Sequence, residues 1–377
     1  MVRWDKVIKG ISFPRPKNNK VPDFAFSAVN FSGDLYNPVI DQIWIDQKSE
    51  KPKWPDNKPY AVCITHDVDV ITLRSKRENI HRIKHVFKTW SQQKTKQNLI
   101  IAFESLENIM KSMFSNRGPN HRIEDWLTVE QEVGARATFF FAPEFVLKSH
   151  FTDCCYRYDD KLRFEGKKIT VADLMRELKS RGWEIGLHPS WFSYNSVDEM
   201  KYQKAQVEEV LGCEIVSVRQ HFLHFDNKIT PSVQAAAGFK YDSTLGFNDN
   251  IGFKRGTSFA YPFVNLVNND TLPVWEIPLI IQDGAMFHPK KGMQLDQKTA
   301  LEYIQLLAEK VKSVGGILTL LWHPNANADE ISWQTFQETL AMLKKDNPWF
   351  ATVREVGDWW RKNVNINLVS FIENLEK

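Results

Sequence analysis

Short apolar runs alternate with amphipathic segments along most of the chain, and this alternation predicts strands and helices in turn. Seven runs have the length and the β-branched or aromatic content of strands: 60–66, 136–142, 183–188, 215–219, 239–243, 273–279 and 316–323. Several segments between them repeat apolar residues at helical spacing, as 169–182 does before it stops at Gly182. Strands that alternate with helices predict a parallel sheet.

Polar side chains follow six of these seven predicted strands. In chain order they are Asp67 with Asp69, His188, Arg219 with His221, Asp242, Asp283 and His323. In a parallel (β/α) barrel these strand ends face one side of the molecule, which is where barrel enzymes build their active sites. The pattern therefore predicts a functional site at the carboxyl ends of the strands.

The first predicted strand ends in an unusual pair of carboxylates, Asp67 and Asp69. Side chains two residues apart in a strand share a face, so these carboxylates project together and repel each other. A bound cation or a nearby arginine would relieve the repulsion. One aspartate, with histidines from other strands, suits a divalent metal with an open position for water, while the other can accept a proton from that water. The alternative is a turn in which an aspartate caps a helix.

Composition limits the class of protein. The chain has 377 residues, 42% hydrophobic and 25% charged, which fits one α/β barrel with insertions or two average domains. A formal net charge of +3 points to neither nucleic acid nor membrane, and no run of roughly 18 apolar residues offers a membrane span. The first twenty residues lack the apolar core of a signal peptide, so we expect a cytoplasmic protein.

The four cysteines do not form a recognisable framework. Cys63 and Cys213 lie in strand-like surroundings, whereas Cys154 and Cys155 are adjacent. This spacing suits neither a disulfide scaffold nor a zinc knuckle. We expect reduced thiols, and a vicinal redox pair is the alternative.

Two regions flank or interrupt the expected barrel. Residues 1–58 are rich in Pro, Asn, Asp and Lys and are expected to form an N-terminal arm that packs on the barrel, residues 59–377. A helical insertion at about 72–120 follows the first strand. From 74 to 117 it carries ten Lys or Arg against three Glu. Such a basic amphipathic segment can bind a phosphate-bearing ligand or an anionic membrane, but a solvated helical hairpin explains it equally well.

From about residue 59 to about 362, the order and spacing of several segments resemble the polysaccharide deacetylases, the chitooligosaccharide deacetylase homology group of carbohydrate esterases. The first, "AVCITHDVD", stands where that family has Thr-Phe-Asp-Asp-Gly, and "VSVRQHF" stands where it has Arg-x-Pro-Tyr. The other matching segments are "VEQEVGARATFFFAPEF", "LKSRGWEIGLHPS", "GFKYDSTLGF" and "ILTLLWHP". The resemblance implies a distorted (β/α) barrel of seven to eight strands.

The resemblance also implies catalytic roles. Asp67 matches the family's general base, Arg219 the arginine that orients this base, and His323 the general acid. Substrate-binding or supporting roles at the remaining strand ends are expected for Asp242, Asp283 and Trp322.

The implied metal site departs from the family pattern at two positions. Val68 stands where the family has its metal-binding aspartate, so we assign that role to Asp69. His188 matches the first metal histidine, but Phe192 occupies the position of the second. We expect His221 to replace it. The alternative is that His221 lines the substrate groove and that water completes the metal shell.

These assignments predict a metal-dependent hydrolase that removes an N-acyl group, acetyl in the family, from an amino sugar. One divalent metal is expected, and zinc suits an Asp/His/His set, although cobalt, nickel or iron would also fit. The basic insertion favours a phosphate-bearing or lipid-linked substrate and peripheral membrane contact, with no nucleic acid. Two alternatives remain: a deformylase or small-amide hydrolase on the same fold, and a catalytically inactive barrel that binds saccharide.

Overall fold

The computed structural model describes residues 3–10, 35–48, 50–71, 123–150, 152–324, 330–364 and 366–375. The basic insertion expected at about 72–120 lies outside these ranges. Much of the predicted N-terminal arm, including 11–34, lies outside them as well.

The described chain forms twelve strands. They are β1 (Ala61–Val68), β2 (Thr138–Phe141), β3 (Lys161–Phe164), β4 (Lys167–Thr170), β5 (Glu184–Leu187), β6 (Ser217–Val218), β7 (Tyr241–Asp242), β8 (Tyr261–Val264), β9 (Thr271–Glu276), β10 (Leu279–Gln282), β11 (Ile317–Leu321) and β12 (Trp349–Phe350). Strands β3 and β4 form a separate antiparallel hairpin. The other ten form one sheet with the order β10-β11-β1-β2-β5-β6-β7-β9-β8, in which β12 pairs with β1.

All pairs in the large sheet are parallel except β8 with β9. The carboxyl ends of β1, β2, β5, β6, β7 and β11 therefore meet on one side. This parallel-dominated sheet confirms the predicted α/β fold class, the distorted (β/α) barrel.

Helices cover this sheet, and eleven α-helices lie in the described ranges. They are α1 (Trp4–Lys9), α2 (Val39–Lys48), α3 (Ile123–Glu132), α4 (Val171–Ser180), α5 (Val197–Leu211), α6 (Thr230–Ala236), α7 (Asp283–Phe287), α8 (Gln297–Val314), α9 (Glu330–Lys345), α10 (Val353–Trp359) and α11 (Leu368–Leu375). None of these helices combines the length and the apolar character that crossing a lipid bilayer requires.

Helix α4 shows how local sequence positions these elements. Thr170 and Asp173 form a reciprocal capping box at its amino end, which satisfies backbone N–H groups that would otherwise lack partners. Its buried stripe, spaced by three or four residues, is Val171, Leu174, Met175 and Leu178. The same core cluster contains Phe139, Phe141 and Leu187 from the sheet. The helical pattern predicted for 169–182 is therefore confirmed.

The prediction of a single strand at 273–279 is wrong. It contains the end of β9 and the start of β10, separated by Ile277 and Pro278. A proline cannot donate a hydrogen bond to a strand ladder, so it favours a break there. Strand β9 pairs with β7, whereas β10 pairs with β11 at the opposite end of the strand order. The two residues thus link strands near opposite ends of the sheet, and β10 then places Asp283 beside His323, which follows β11.

Residues of the N-terminal arm pack on the barrel where they are described. Asp41 in α2 accepts hydrogen bonds from the backbone N–H and the hydroxyl of Ser258, each at 2.6 Å. The Trp54 indole donates to the backbone oxygen of Gly315 at 2.8 Å. These contacts agree with the expected packing of the arm, while the domain boundary itself stays a prediction.

Candidate active site

Five side chains from four strands converge at the carboxyl end of the sheet. Asp67 is the last residue but one of β1, and Asp69 follows that strand. His188 comes directly after β5, His221 lies in the turn after β6, and His323 follows β11 by two residues. A side-chain nitrogen of each histidine lies within 4.0 Å of a carboxylate oxygen of Asp69.

Asp69, His188 and His221 are arranged as a set of metal ligands. Asp69 Oδ1 is 3.2 Å from His188 Nε2 and 4.0 Å from His221 Nε2, and the ligand atoms of all three lie within 4.8 Å of one another. Tetrahedral zinc with bonds of about 2.0–2.1 Å would hold such atoms about 3.4 Å apart. These three residues could therefore hold one divalent ion.

The ring orientations of the two histidines agree with this role. His188 donates from Nδ1 to the backbone oxygen of Arg219 at 2.7 Å, which leaves Nε2 facing Asp69. Such an outer hydrogen bond fixes the tautomer of a metal-binding histidine. His221 is 5% exposed, and its Nδ1 makes no hydrogen bond to the described part of the chain. The two imidazole rings are 4.9 Å apart at 72°.

The charges around Asp69 favour its ionised form. Burial alone would raise the pKa of Asp69, but the hydrogen bond from His188 and the charges of His323 and His221 hold it well below its usual range. Burial lowers the pKa of His221 to about 3, despite the charge of Asp69. A carboxylate and a neutral imidazole are the forms that bind metal, because both offer a lone pair.

Asp67 has different surroundings from Asp69. It is 2% exposed, and its Oδ1 lies 3.7 Å from Nη1 of the fully buried Arg219. Arg219 donates from Nη2 to Ser243 Oγ at 2.8 Å, and its guanidinium lies 5.0 Å above the ring of Phe140. Asp67 Oδ1 accepts no hydrogen bond from the described residues. It can therefore accept a proton from a ligand in the site.

His323 and Asp283 form a hydrogen-bonded pair on the other side. His323 Nδ1 lies 2.7 Å from Asp283 Oδ1, and the His323 backbone N–H donates to Asp283 Oδ2 at 2.8 Å. His323 Nε2 faces Asp69 Oδ2 at 3.8 Å. Burial lowers the pKa of His323, but the charges of Asp283, Asp69 and Asp67 outweigh it and raise the pKa to about 10. In this arrangement Nε2 can donate a proton into the site.

The remaining two expected site residues lie behind the cluster. Asp242 is fully buried and accepts from Gln234 Nε2 at 2.8 Å and Thr244 Oγ1 at 2.6 Å, and it pairs across the sheet with Glu276. These contacts support β7 and the turn after it. Trp322 is fully buried, and its indole donates to the backbone oxygen of Ser332 at 3.2 Å. The ring therefore lies in the core, and the substrate-binding or supporting role expected for Trp322 stays a prediction.

Phe192, at the position of the family's second histidine, does not contribute a ligand. Its ring lies 3.9 Å from Lys148 Nζ and 5.6 Å from the ring of His150. The second imidazole of the cluster comes instead from His221, on the neighbouring strand's loop.

Three residues near the cluster had no role in the sequence prediction. Cys154 Sγ lies 3.8 Å from Asp69 Oδ1, on a loop that follows β2. Phe222 is 43% exposed, and its ring centre lies 4.6 Å from that of His221 and 6.0 Å from that of Trp191. The sequence carries no signal that a cysteine 85 residues after Asp69 returns to it.

Comparisons with known proteins agree with this geometry at the level of the fold. The sequence matches no protein-family model, and no curated protein matches it significantly. A putative polysaccharide deacetylase from Mycobacterium smegmatis superposes with a TM-score of 0.54 at 19% identity, over 82% of this chain and 93% of that one. A Puue allantoinase superposes with a TM-score of 0.53 at 15% identity, over 84% of this chain and 96% of that one. A probable polysaccharide deacetylase from Pseudomonas aeruginosa PAO1 superposes with a TM-score of 0.50 at 13% identity, over 85% of this chain and 98% of that one. By its strand order and these similarities, the chain has a polysaccharide deacetylase-like fold.

Proposed function

We propose that the protein is a metal-dependent hydrolase that removes an N-acyl group, in the first instance acetyl, from an amino sugar of a saccharide. The observation that carries the proposal is the convergence of three groups at one end of the barrel. They are a ligand set (Asp69, His188, His221), a buried carboxylate beside an arginine, and a histidine hydrogen-bonded to Asp283.

The ligand set suits zinc, because one carboxylate and two imidazoles leave a fourth, open position. A divalent metal held by these residues would supply Lewis-acid chemistry, polarising the substrate carbonyl and a water molecule. Cobalt, nickel and iron have similar ligand preferences, so a metal screen belongs with the activity test.

Asp67 has the position and the free oxygen of a general base. It takes the proton of the attacking water on Oδ1, which no other described group occupies. The guanidinium of Arg219, with Nη1 3.7 Å from this oxygen, lies beside the carboxylate. His323 gives a proton from Nε2 to the departing amine, while Asp283 holds Nδ1 and so fixes the orientation of the ring.

Two observations support a saccharide as the substrate. Two of the similar structures are named as polysaccharide deacetylases. In addition, the ring of Phe222, 43% exposed, lies 4.6 Å from that of His221, where the face of a sugar ring could pack against it. The proposed phosphate or lipid linkage and the membrane contact depend on the basic insertion, which lies beyond the described ranges.

The test is acetate release from N-acetylated chitooligosaccharides by protein loaded with zinc, cobalt or nickel. Metal-loaded Asp67→Asn is the matched control, because it keeps the ligand set and lacks the base. We expect the wild-type protein to release acetate and the variant to be slower by about 10²–10⁴-fold. Equal rates in the two proteins would show that this site does not carry out the reaction.

A second candidate is a hydrolase of a small non-sugar amide or formamide. The similarity to an allantoinase, at a TM-score of 0.53, favours it, since that enzyme's name refers to allantoin and not to a saccharide. The same assay with allantoin and N-formyl sugars separates the candidates. Turnover of these compounds without acetate release would replace the first proposal with the second.

An inactive saccharide-binding barrel is the third candidate, favoured by Val68 and Phe192 at two positions where the family has metal ligands. Saccharide binding by protein that retains no divalent metal after dialysis would support this third candidate. The cluster of Asp69, His188 and His221 supports the active alternatives.

A further inference from the structure

The guanidinium of Arg219 lies beside the proposed general base but does not contact it directly. Arg219 is fully buried, and its Nη1 is 3.7 Å from Asp67 Oδ1, which is too long for a hydrogen bond. Neither Nε nor Nη1 makes a hydrogen bond to the described part of the chain. Its Nη2 donates to Ser243 Oγ at 2.8 Å. Within the described ranges, the hydrogen bond to Ser243 is therefore what fixes the guanidinium.

The Ser243 hydroxyl is itself held in one orientation. It donates to the Ile277 backbone oxygen at 2.8 Å, at the break between β9 and β10. A hydroxyl has a single proton, so this bond leaves its lone pairs to accept from Arg219. The Ser243 backbone N–H donates to the Val218 oxygen at 3.0 Å, which ties the residue after β7 to the end of β6. Ser243 is fully buried, so bulk water does not compete for these hydrogen bonds.

The next residue, Thr244, strengthens the connection between the two strand ends. Its hydroxyl accepts a hydrogen bond from the Gln220 backbone N–H at 3.0 Å. The same hydroxyl donates to Asp242 Oδ1 at 2.6 Å, and Asp242 Oδ2 accepts from the Thr244 backbone N–H at 3.1 Å. The turn after β7 therefore holds the backbone on both sides of Arg219, at Val218 and at Gln220.

The position of the Arg219 guanidinium decides whether Asp67 Oδ1 is free. A guanidinium and a carboxylate in direct contact form charge-assisted hydrogen bonds of about 2.7–2.9 Å, so a shift of about 1 Å would close the gap. Asp67 Oδ1 would then accept from Arg219 and would no longer be open to a water in the site. Because Ser243 holds Nη2, Nη1 stays 3.7 Å from this oxygen.

We infer that Ser243 is a positioning residue that keeps Arg219 beside Asp67 and off its free oxygen. The inference rests on the proposed function, in which this oxygen receives the proton of the attacking water. Without the Ser243 hydroxyl, Nη2 would lose its partner in a buried site, where an unsatisfied charged donor is costly. The guanidinium would then take Asp67 Oδ1 as its partner. Ser243 thus acts through Arg219 and does not touch the reacting atoms.

The first measurement compares crystal structures of the full-length wild-type and Ser243→Ala proteins. We expect Arg219 Nη1 to lie near 3.7 Å from Asp67 Oδ1 in the wild type and at about 2.8 Å in the variant. Ser258→Ala is the matched control, because Ser258 is equally buried and donates from its hydroxyl to Asp41, beside the start of β11. This control should keep the wild-type distance. Equal distances in the wild type and Ser243→Ala overturn the inference, whether or not the protein releases acetate.

Kinetics then test whether this shift affects the reaction. Ser243→Ala should lower kcat for acetate release about 10–100-fold, as removal of a group that orients a site residue typically does, with KM and metal content little changed. Added to Asp67→Asn, it should cause no further loss, because its effect passes through Asp67. Ser258→Ala should leave kcat unchanged. Equal fold losses from Ser243→Ala with and without Asp67→Asn would overturn the positioning role. If the wild type releases no acetate, the proposed function fails and the crystallographic comparison alone decides this inference.

Discussion

Asp67 and Asp69 are only two residues apart, yet their positions in the barrel give them different surroundings. Asp67 lies on β1 beside the buried guanidinium of Arg219, whereas Asp69 lies beyond the strand end and faces His188. The side chain of Asp69 is 27% exposed and that of Asp67 only 3%. The more open carboxylate can bind an ion from solvent, and the enclosed one is suited to proton transfer.

Exchanging each aspartate for asparagine should separate these roles. We expect Asp69→Asn to lose bound metal, because the amide is a weaker ligand without charge. Asp67→Asn should retain metal and lose about 10²–10⁴-fold in kcat. Metal content by elemental analysis and acetate release check both variants. Loss of metal in Asp67→Asn with retention in Asp69→Asn would mean that the two roles are exchanged.

Variants of His221 and His224 test whether His221 replaces the second metal-binding histidine of the family. His221→Ala should weaken metal binding strongly, since its Nε2 faces Asp69 at 4.0 Å. His224→Ala is the matched control: its Nδ1 donates to the Trp191 backbone oxygen at 3.1 Å, and its ring centre lies 4.0 Å from that of Tyr194. Zinc titration against a chelator measures both. Equal affinities in the two variants would favour the alternative in which His221 only lines the groove.

At the scale of elements, a buried carboxyl group is among the contacts that join helix α2 to the barrel. Asp41 is fully buried and accepts from Ser258 N–H and Oγ and from the hydroxyl of Thr257. Burial raises the pKa of Asp41 to about 7, although these hydrogen bonds oppose the shift. The folded state is therefore favoured most when this buried carboxyl is protonated, because burial disfavours its charge.

This joint predicts a pH dependence of stability. The unfolded chain releases the Asp41 proton near pH 3.9, and the folded chain releases it near 7. Between these pH values the unfolded state binds fewer protons than the folded state. The free energy of unfolding therefore falls as pH rises, by a few kcal/mol at most. Urea unfolding from pH 4.5 to 8 should show that the free energy of unfolding declines more steeply in wild-type protein than in Asp41→Asn. The exposed Asp46→Asn should follow the wild type, and parallel profiles for all three proteins would contradict the prediction.

At the scale of the whole molecule, the N-terminal arm contributes to a core cluster of the barrel. Trp54 is 3% exposed, and its ring lies 5.6 Å from those of Trp349 and Trp360. Its indole also satisfies the backbone oxygen of Gly315, directly after α8. The arm and the C-terminal helices therefore share one apolar cluster at the amino ends of β1 and β11.

We expect Trp54→Ala to lower the free energy of unfolding by about 3–5 kcal/mol, because it removes a large buried ring and leaves a cavity. Trp54→Phe should cost less, since it keeps most of the ring. Val267→Ala, at an 88% exposed site, should change stability by less than about 0.5 kcal/mol. Denaturant unfolding measures all three variants. A Trp54→Ala protein as stable as the Val267→Ala control would mean that the arm is detachable.

The sequence predicted much of the fold because its strongest signals are local. Apolar runs and helical periodicity determine where an element forms, and the polar residues after the runs marked Asp67, His188, Arg219 and His323 as site candidates. Short elements such as β12, and the hairpin of β3 and β4, carry too few residues for such a pattern. They form because neighbouring elements supply their partners.

The choice between nearby candidates was decided only by tertiary structure. Strand β6 ends at Val218, so His221 lies in a turn and not on a strand, and Phe222 and Leu223 there have φ near +55°. This turn directs His221 toward Asp69 and His224 toward Trp191. Left-handed backbone at two non-glycine residues is unfavourable locally and persists only when the surrounding packing holds it.

The sequence by itself determined the alternation of strands and helices, the parallel sheet, and the chemical types available at its carboxyl end. It did so because burial and periodicity are properties of neighbouring residues. Tertiary structure decided which of those side chains meet: the break at Pro278 that joins the two ends of the sheet, the buried position of the Trp322 ring, and the return of Cys154 to Asp69. These contacts link residues far apart in the chain, and no local pattern records them, because they arise from strand order and from loops packed against the curved sheet.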